Sequence, residues 1–158
     1  MTRRKLLHCL SLVAFVSVVP GSAPAQTALV ADRKANADKP FAEHFLALQL
    51  SDQDPKKQRL VLSVANNILK AYGPDKVAIE VVAFGPGIDL LRDDSENRKP
   101  VDSLVSQGVR FDVCGNTLDT IERETGKRPT INPHAIEIEV GVGQLLTLSE
   151  SGYTLVRP

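Results

Sequence analysis

From residue 41 onward, the pattern of apolar and polar positions switches repeatedly between a period typical of strands and one typical of helices. Short apolar runs, several of them rich in β-branched residues, predict strands at 44–50, 77–84, 108–114, 135–140 and 153–156. Helical spacing and turn signals between these runs predict helices at 55–70, 88–91, 101–107, 117–124 and 144–150. The stretch Gly141-Val142-Gly143 leaves open an earlier start for the last helix.

The alternation of strands and helices predicts one α/β domain over residues 41–158. We expect a mainly parallel sheet with helices on both faces, joined by right-handed crossovers into a three-layer structure. The nearly continuous apolar run at 77–84 supports this arrangement, since a strand that is covered on both faces needs no polar side.

The first 40 residues show a different pattern. Basic residues at 3–5 precede an apolar stretch at 6–19, and Ala23-Pro24-Ala25 supplies small residues after the Pro20-Gly21 break. This layout predicts a signal peptide over residues 1–25 and export to the periplasm or the outside of the cell, with an uncleaved N-terminal anchor as the alternative. Residues 26–40 lack an apolar period and are expected to form a flexible arm.

Cleavage would leave a weakly acidic chain, whose composition argues against nucleic-acid binding, a membrane span and a cysteine-rich metal site. The whole chain has 19 basic and 19 acidic residues, and removal of the three basic residues in the leader changes the net charge to −3. We expect neither nucleic-acid binding nor a stable membrane span in that form. With one cysteine and two histidines remaining, a cysteine-rich metal site is not expected, and no nucleotide-binding glycine motif predicts a cofactor.

The remaining cysteine, Cys114, lies where a predicted strand passes directly into a predicted helix. The positive end of a helix dipole favours the thiolate, which is the reactive form of the side chain. Cys114 is therefore the candidate catalytic residue. The alternative is a small buried residue with a packing role.

Two short segments are candidates for binding a substrate beside this thiol. Gly115, Asn116 and Thr117 follow the cysteine, and Gly85-Pro86-Gly87 follows the preceding predicted strand. The carboxyl ends of parallel strands share one edge of a sheet, where α/β proteins usually bind ligands. The alternatives are that Asn116 and Thr117 cap the helix and that the glycine-proline segment only makes a turn.

Histidine offers a different chemistry if it lies near the cysteine. A Cys-His hydrolase that uses Cys114 and His134 is formally possible, and His44 is the other histidine of the expected mature chain. Sequence spacing does not place either ring near the thiol, and no second motif supports this activity.

Four segments in a fixed order resemble a known family. They are NNILKAYG at 66–73, VVAFGPG at 81–87, GVRFDVCGNT at 108–117 and Gly152-Tyr153. Together they are similar to the DsrE/DsrF-like group of sulfur-relay and sulfur-oxidation proteins, particularly its small exported members. The resemblance covers residues 41–158, and Phe84 stands where many relatives have histidine.

The resemblance implies a five-stranded sheet, assembly into homotrimers or homohexamers, and a persulfide carried on Cys114. It also implies a partner protein or a small sulfane-sulfur compound that donates or accepts sulfur. Two functions are therefore considered. The first is an exported sulfur carrier or sulfurtransferase, and the second is a noncatalytic oligomeric binding or redox-sensing module with the same fold.

Overall fold

The computed structural model describes residues 39–158. The predicted signal peptide, Cys9 and most of the predicted arm lie outside this range. The strands are β1 His44–Leu50, β2 Val77–Ala83, β3 Arg110–Cys114, β4 Ile136–Ile138 and β5 Thr154–Val156. The α-helices are α1 Pro55–Tyr72, α2 Arg98–Val105, α3 Gly115–Thr125 and α4 Gly141–Glu150, and a 3-10 helix spans Gly85–Leu91.

All five strands are parallel and lie in the order β4-β3-β2-β1-β5. The first four strands are added in one direction, so right-handed crossovers place α1, α2 and α3 on one face. The chain then returns across the sheet to β5, and this reversed crossover places α4 on the other face. The predicted three-layer α/β fold with a parallel five-stranded sheet is confirmed.

The core consists of two unequal parts, one on each face of the sheet. The larger part packs the sheet against α1, α2, α3 and the 3-10 helix, with Leu48 and Phe111 at its centre. The smaller part packs α4 against the sheet through Leu145 and Leu148. Every residue of β2 is buried, which agrees with the continuous apolar run that predicted a strand covered on both faces.

The ends of the elements explain where the sequence-based boundaries differ from the structure. Helix α1 begins at Pro55, as expected, because the Asp54 side chain accepts the Lys56 N–H at 2.8 Å. Helix α3 begins at Gly115, so no loop separates it from Cys114, in agreement with the predicted direct passage from strand to helix. Strand β4 has three residues where six were predicted, and the chain turns from it into α4 at Gly141, the earlier of the two possible starts.

A group of polar side chains is buried on the smaller face, within an otherwise apolar layer. Glu80 is 2% exposed and Asp112 is fully buried. Arg110 lies beside both, with Nε 3.5 Å from Glu80 Oε2 and Nη2 3.6 Å from Asp112 Oδ1. Among residues 39–158, no donor lies within hydrogen-bond distance of either Asp112 oxygen. A protonated Asp112 would not be left without a hydrogen bond, because its carboxyl group then donates to Glu80.

The pKa of Asp112 is consistent with a protonated carboxyl group. Burial, the hydrogen bond with Glu80 and the charge of Glu80 raise the pKa of Asp112 to about 8, against the opposing effect of Arg110. In the unfolded chain this group loses its proton near its ordinary value of 3.8. Between these values the folded state binds more protons than the unfolded state, so this group makes the free energy of unfolding fall as pH rises.

We predict that Asp112→Asn flattens the dependence of stability on pH between about 4 and 8. The amide keeps the size of the side chain and donates to Glu80 without titrating. The wild-type free energy of unfolding should fall relative to that of the variant by at most about 1.4 kcal/mol per pH unit across this window. Urea unfolding at several pH values measures the difference. Parallel pH profiles for the two proteins would show that Asp112 is ionised in the folded state.

Candidate functional site

The thiol of Cys114 lies where two helices begin. Strand β3 ends at Cys114 and α3 starts at the next residue, while α4 starts at Gly141 after the neighbouring strand β4. The Gly141 N–H donates to Cys114 Sγ at 3.3 Å. The Thr117 side chain and the N–H groups of Asn116 and Thr117, in the first turn of α3, also lower the pKa of this thiol, and the Asn116 N–H makes its hydrogen bond to the Glu139 carbonyl at 3.2 Å. Both positive helix ends therefore face the same sulfur atom.

These contacts favour the thiolate despite its burial. Cys114 is 6% exposed, and desolvation raises the pKa of its thiol. The hydrogen bonds from Thr117, Gly141 and Asn116 act in the opposite direction and hold the pKa of Cys114 below its ordinary value. When the thiol is protonated, the Glu139 carbonyl is a weak acceptor at 4.0 Å from Sγ. The Cys114 sulfur therefore has a hydrogen-bond partner both as a thiolate and as a thiol.

Position 141 has no room for a side chain. A Cβ there would lie 3.0 Å from Phe84 Cβ and 3.2 Å from Cys114 Cβ. Glycine lets the first turn of α4 come close enough for its N–H to reach the sulfur. Phe84 lies on the other side of this close approach and contributes no proton donor or acceptor beside the thiol.

An open cleft of about 560 Å³ lies at the carboxyl edge of the sheet, next to this site. We call it the edge cleft. Four of the predicted binding residues line it: Gly85, Pro86, Asn116 and Thr117. Thr117 connects the cleft with the thiol, because its hydroxyl lowers the pKa of Cys114 and accepts the Gly85 N–H at 3.0 Å. Cys114 itself does not line the edge cleft.

Two other predicted binding residues, Gly87 and Gly115, allow neighbouring segments of backbone to pack closely. A Cβ on Gly87 would lie 2.3 Å from the carbonyl oxygen of Leu50, so this residue lets the 3-10 helix approach β1. A Cβ on Gly115 would lie 3.1 Å from Glu137 Oε1 and 3.2 Å from the carbonyl oxygen of Ile138. The space over Gly115 is therefore taken by β4, and a ligand does not approach the backbone there.

Both described histidines are far from the thiol along the strands. His44 begins β1 and contacts the Tyr72 ring, with a centroid distance of 4.2 Å. His134 lies just before β4, on the wall of a second cavity that also includes Ala78 and Arg110. Both therefore belong to the amino edge of the sheet, whereas Cys114 belongs to the carboxyl edge, about 13 Å away along β3. This geometry does not support a Cys-His hydrolase.

The contact between the start of α4 and the thiol is the feature that sequence reasoning missed. The segment Gly141-Val142-Gly143 follows a strand signal, as Gly115 follows Cys114. This shared pattern, a strand followed by a glycine and then a helix, is the sequence signal that could have drawn attention to Gly141. The pattern alone does not show that the two junctions meet, because the meeting depends on the pairing of β4 with β3.

Other site types were also considered for residues 39–158. Within this range, no group of three or more His, Cys, Asp or Glu side chains is placed to hold a metal ion. Helices long and apolar enough to cross a membrane are also not found in the described part of the chain.

One kind of comparison with known proteins, that with solved structures, supports the fold. No protein-family model matches the chain, and no curated protein matches it. Among solved structures, the chain is similar to the protein of unknown function MTH1491 from Methanobacterium thermoautotrophicum, with a TM-score of 0.66 and 28% identity. The alignment covers 73% of this chain and 100% of the other. The likeness supports the α/β fold and assigns no activity, since the function of that protein is itself unknown.

We predict that Thr117→Val raises the pKa of the Cys114 thiol. Valine keeps the shape of the side chain but removes the hydroxyl that contacts the sulfur, and a hydrogen bond to a charged group contributes roughly 1.5–3 kcal/mol. The expected rise is about one pKa unit or more. NMR titration of the Cys114 Cβ resonance measures it without requiring access of a reagent to the sulfur.

Thr120→Val is the matched control, because Thr120 also lines the edge cleft but its hydroxyl donates to the Asn116 carbonyl. Thr117→Ser should retain most of the effect of the wild-type residue. Equal thiol pKa values in Thr117→Val and Thr120→Val would show that the Thr117 hydroxyl does not stabilise the thiolate.

Proposed function

We propose that this protein is a sulfur carrier or sulfurtransferase that holds sulfane sulfur as a persulfide on Cys114. The observation that carries the proposal is the position of the Cys114 sulfur at the starts of α3 and α4, where it accepts the Gly141 N–H at 3.3 Å and where groups in the first turn of α3 lower its pKa. The resemblance of residues 41–158 to the DsrE/DsrF-like group agrees with it.

The transfer step balances without a metal or an external oxidant. The Cys114 thiolate attacks the outer sulfur of a donor persulfide or thiosulfate, and the sulfur-sulfur bond of the donor breaks. A new sulfur-sulfur bond forms on Cys114, and the donor leaves as a thiolate or as sulfite with the electron pair of the broken bond. The Gly141 N–H, which donates a hydrogen bond to Cys114 Sγ, stabilises the thiolate before the transfer, and the negative charge of the persulfide then lies on its outer sulfur.

The edge cleft is the proposed approach for the donor and acceptor. It presents the polar residues Asn116 and Thr117, and Thr117 touches both the cleft and the thiol. Since Cys114 is buried, sulfur transfer requires the first turn of α3 or α4 to move. We further propose that the carrier acts after export, in the periplasm or outside the cell, because the basic and apolar pattern of residues 1–25 is that of a leader.

The burial of Cys114 favours a second candidate, a noncatalytic binding or redox-sensing module. In that case the thiol fills the space between α3 and α4, and its hydrogen bonds join the two helix starts. The two candidates differ in whether sulfur reaches the thiol in the folded protein.

We predict that the mature protein gains the mass of one sulfur atom after incubation with a sulfane-sulfur donor under anaerobic conditions. Intact-mass spectrometry before and after treatment with a reductant measures the gain and its reversal. Cys114→Ser should gain no sulfur while keeping the fold, because the hydroxyl has nearly the same shape as the thiol. The carrier hypothesis fails if folded wild-type protein gains no sulfur but takes it up after unfolding, and the binding module is then the better account.

We also propose that the protein assembles as a homotrimer or homohexamer. Four large apolar side chains are exposed along β4 and α4: Ile136, Val140, Val142 and Leu146. We call them the β4–α4 apolar patch. Val142 and Leu146 lie one helical turn apart and are 53% and 61% exposed, so a second copy that covers them removes apolar surface from water.

We predict that light scattering under reducing conditions gives the mass of a trimer or hexamer and that Leu146→Lys lowers it. Leu60→Lys is the matched control, since Leu60 is 48% exposed but lies on α1, on the opposite face of the sheet. A monomeric wild-type protein at micromolar concentrations would contradict the proposed assembly. An equal loss of mass in both variants would show that the β4–α4 apolar patch is not the specific interface.

A further inference from the structure

Helix α4 is held on the sheet by a polar contact as well as by apolar packing. Gln144 lies one turn after Gly141, and its Nε2 donates to Glu80 Oε1 at 2.5 Å. Glu80 is on β2 and is 2% exposed, so this hydrogen bond is shielded from water. The contact fixes the first turn of α4 over the centre of the sheet.

Glu80 is itself held in place by its neighbours. Asp112, fully buried on the adjacent strand, donates to Glu80 when it is protonated, and Arg110 Nε forms an ion pair with Glu80 Oε2 at 3.5 Å without a hydrogen bond. If Glu80 turned toward solvent, the protonated Asp112 would lose its acceptor and Arg110 would lose one of its two nearby carboxylates. This makes it a rigid acceptor for Gln144.

The start of α4 has no side-chain cap of its own. Val140 occupies the N-cap position and makes no side-chain hydrogen bond there. The Gly141 N–H therefore has the Cys114 sulfur as its partner, at 3.3 Å. Because a hydrogen bond weakens steeply as it lengthens or bends, the position of the first turn of α4 determines how strongly this N–H stabilises the thiolate.

From these contacts we infer that Glu80 and Gln144 are positioning residues for Cys114. They touch neither the sulfur nor the edge cleft, and they act through α4 by keeping the Gly141 N–H directed at the thiol. The inference rests on the proposed function insofar as thiol reactivity matters to the protein, but its test measures the thiol pKa and does not depend on sulfur transfer.

The test is the NMR titration of the Cys114 Cβ resonance in Gln144→Met. Methionine keeps the length of the side chain and removes the donor. The thiolate fraction of Cys114 at a pH below the thiol pKa should fall roughly three- to tenfold, which is a rise of about half a unit to one unit in that pKa. Glu80→Gln keeps the shape of the acceptor but weakens it and should raise the pKa in the same direction, less any lowering from the loss of a carboxylate on this face of the sheet.

Two further variants separate positioning from general damage to α4. Ser149→Ala changes an exposed residue of the same helix and should leave the thiol pKa unchanged. The exchange Glu80→Gln with Gln144→Glu again pairs an amide with a carboxylate and should recover at least part of the wild-type value. Because Asp112 titrates on the same face of β3, each measurement is repeated with Asp112→Asn present.

The outcomes distinguish this inference from the proposed function. If folded Gln144→Met and Glu80→Gln have the same thiol pKa as the wild-type protein, the positioning role is overturned, even if wild-type protein takes up sulfur. A raised pKa in both, with recovery in the exchange variant, supports the role even if no sulfur is taken up. If Gln144→Met does not fold, Glu80→Gln and the exchange variant decide between these results.

Discussion

The parallel pairing of β4 with β3 determines the geometry of the candidate site. Cys114 is paired with Ile138, so the two strands end side by side at the same edge of the sheet. Helix α3 follows β3 directly, and α4 begins shortly after β4, at Gly141. The Asn116 N–H donates to the Glu139 carbonyl at 3.2 Å and joins the two junctions. As a result, two helix N-termini lie against one sulfur atom.

The order of the strands explains why this site depends on a single helix of the smaller face. Three crossovers in one direction place α1, α2 and α3 together, and only the return crossover places α4 on the opposite side. Among residues 39–158, no second helix therefore lies beside α4 on this face to set its position. Its apolar residues Leu145 and Leu148 hold it against the sheet, and the Gln144–Glu80 hydrogen bond adds a directional contact near its first turn.

The sequence predicted the elements of this fold better than it predicted the contacts of the site. Continuous or β-branched apolar runs identified β1 and β2 nearly to the residue, because burial on both faces leaves a strong local signal. Strand β4 was predicted too long, since its alternating residues give no sign of where pairing with β3 stops. The buried group around Glu80 was not predicted. Glu80 and Asp112 are far apart in sequence and meet only through the register of β2 with β3.

A sulfur-transfer cycle has two halves, the loading of Cys114 by a donor and the release of sulfur to an acceptor. The burial and the lowered pKa of Cys114 affect these two halves differently. A thiolate with a low pKa is a weaker nucleophile, and burial restricts its attack on a donor. In the second half, an acceptor thiol attacks the outer sulfur and Cys114 leaves as a thiolate. A leaving thiol with a low pKa departs faster, and the N–H of Gly141 and the hydroxyl of Thr117 stabilise the departing charge. In the proposed carrier, the same hydrogen bonds that slow loading of Cys114 therefore favour the release of sulfur to an acceptor.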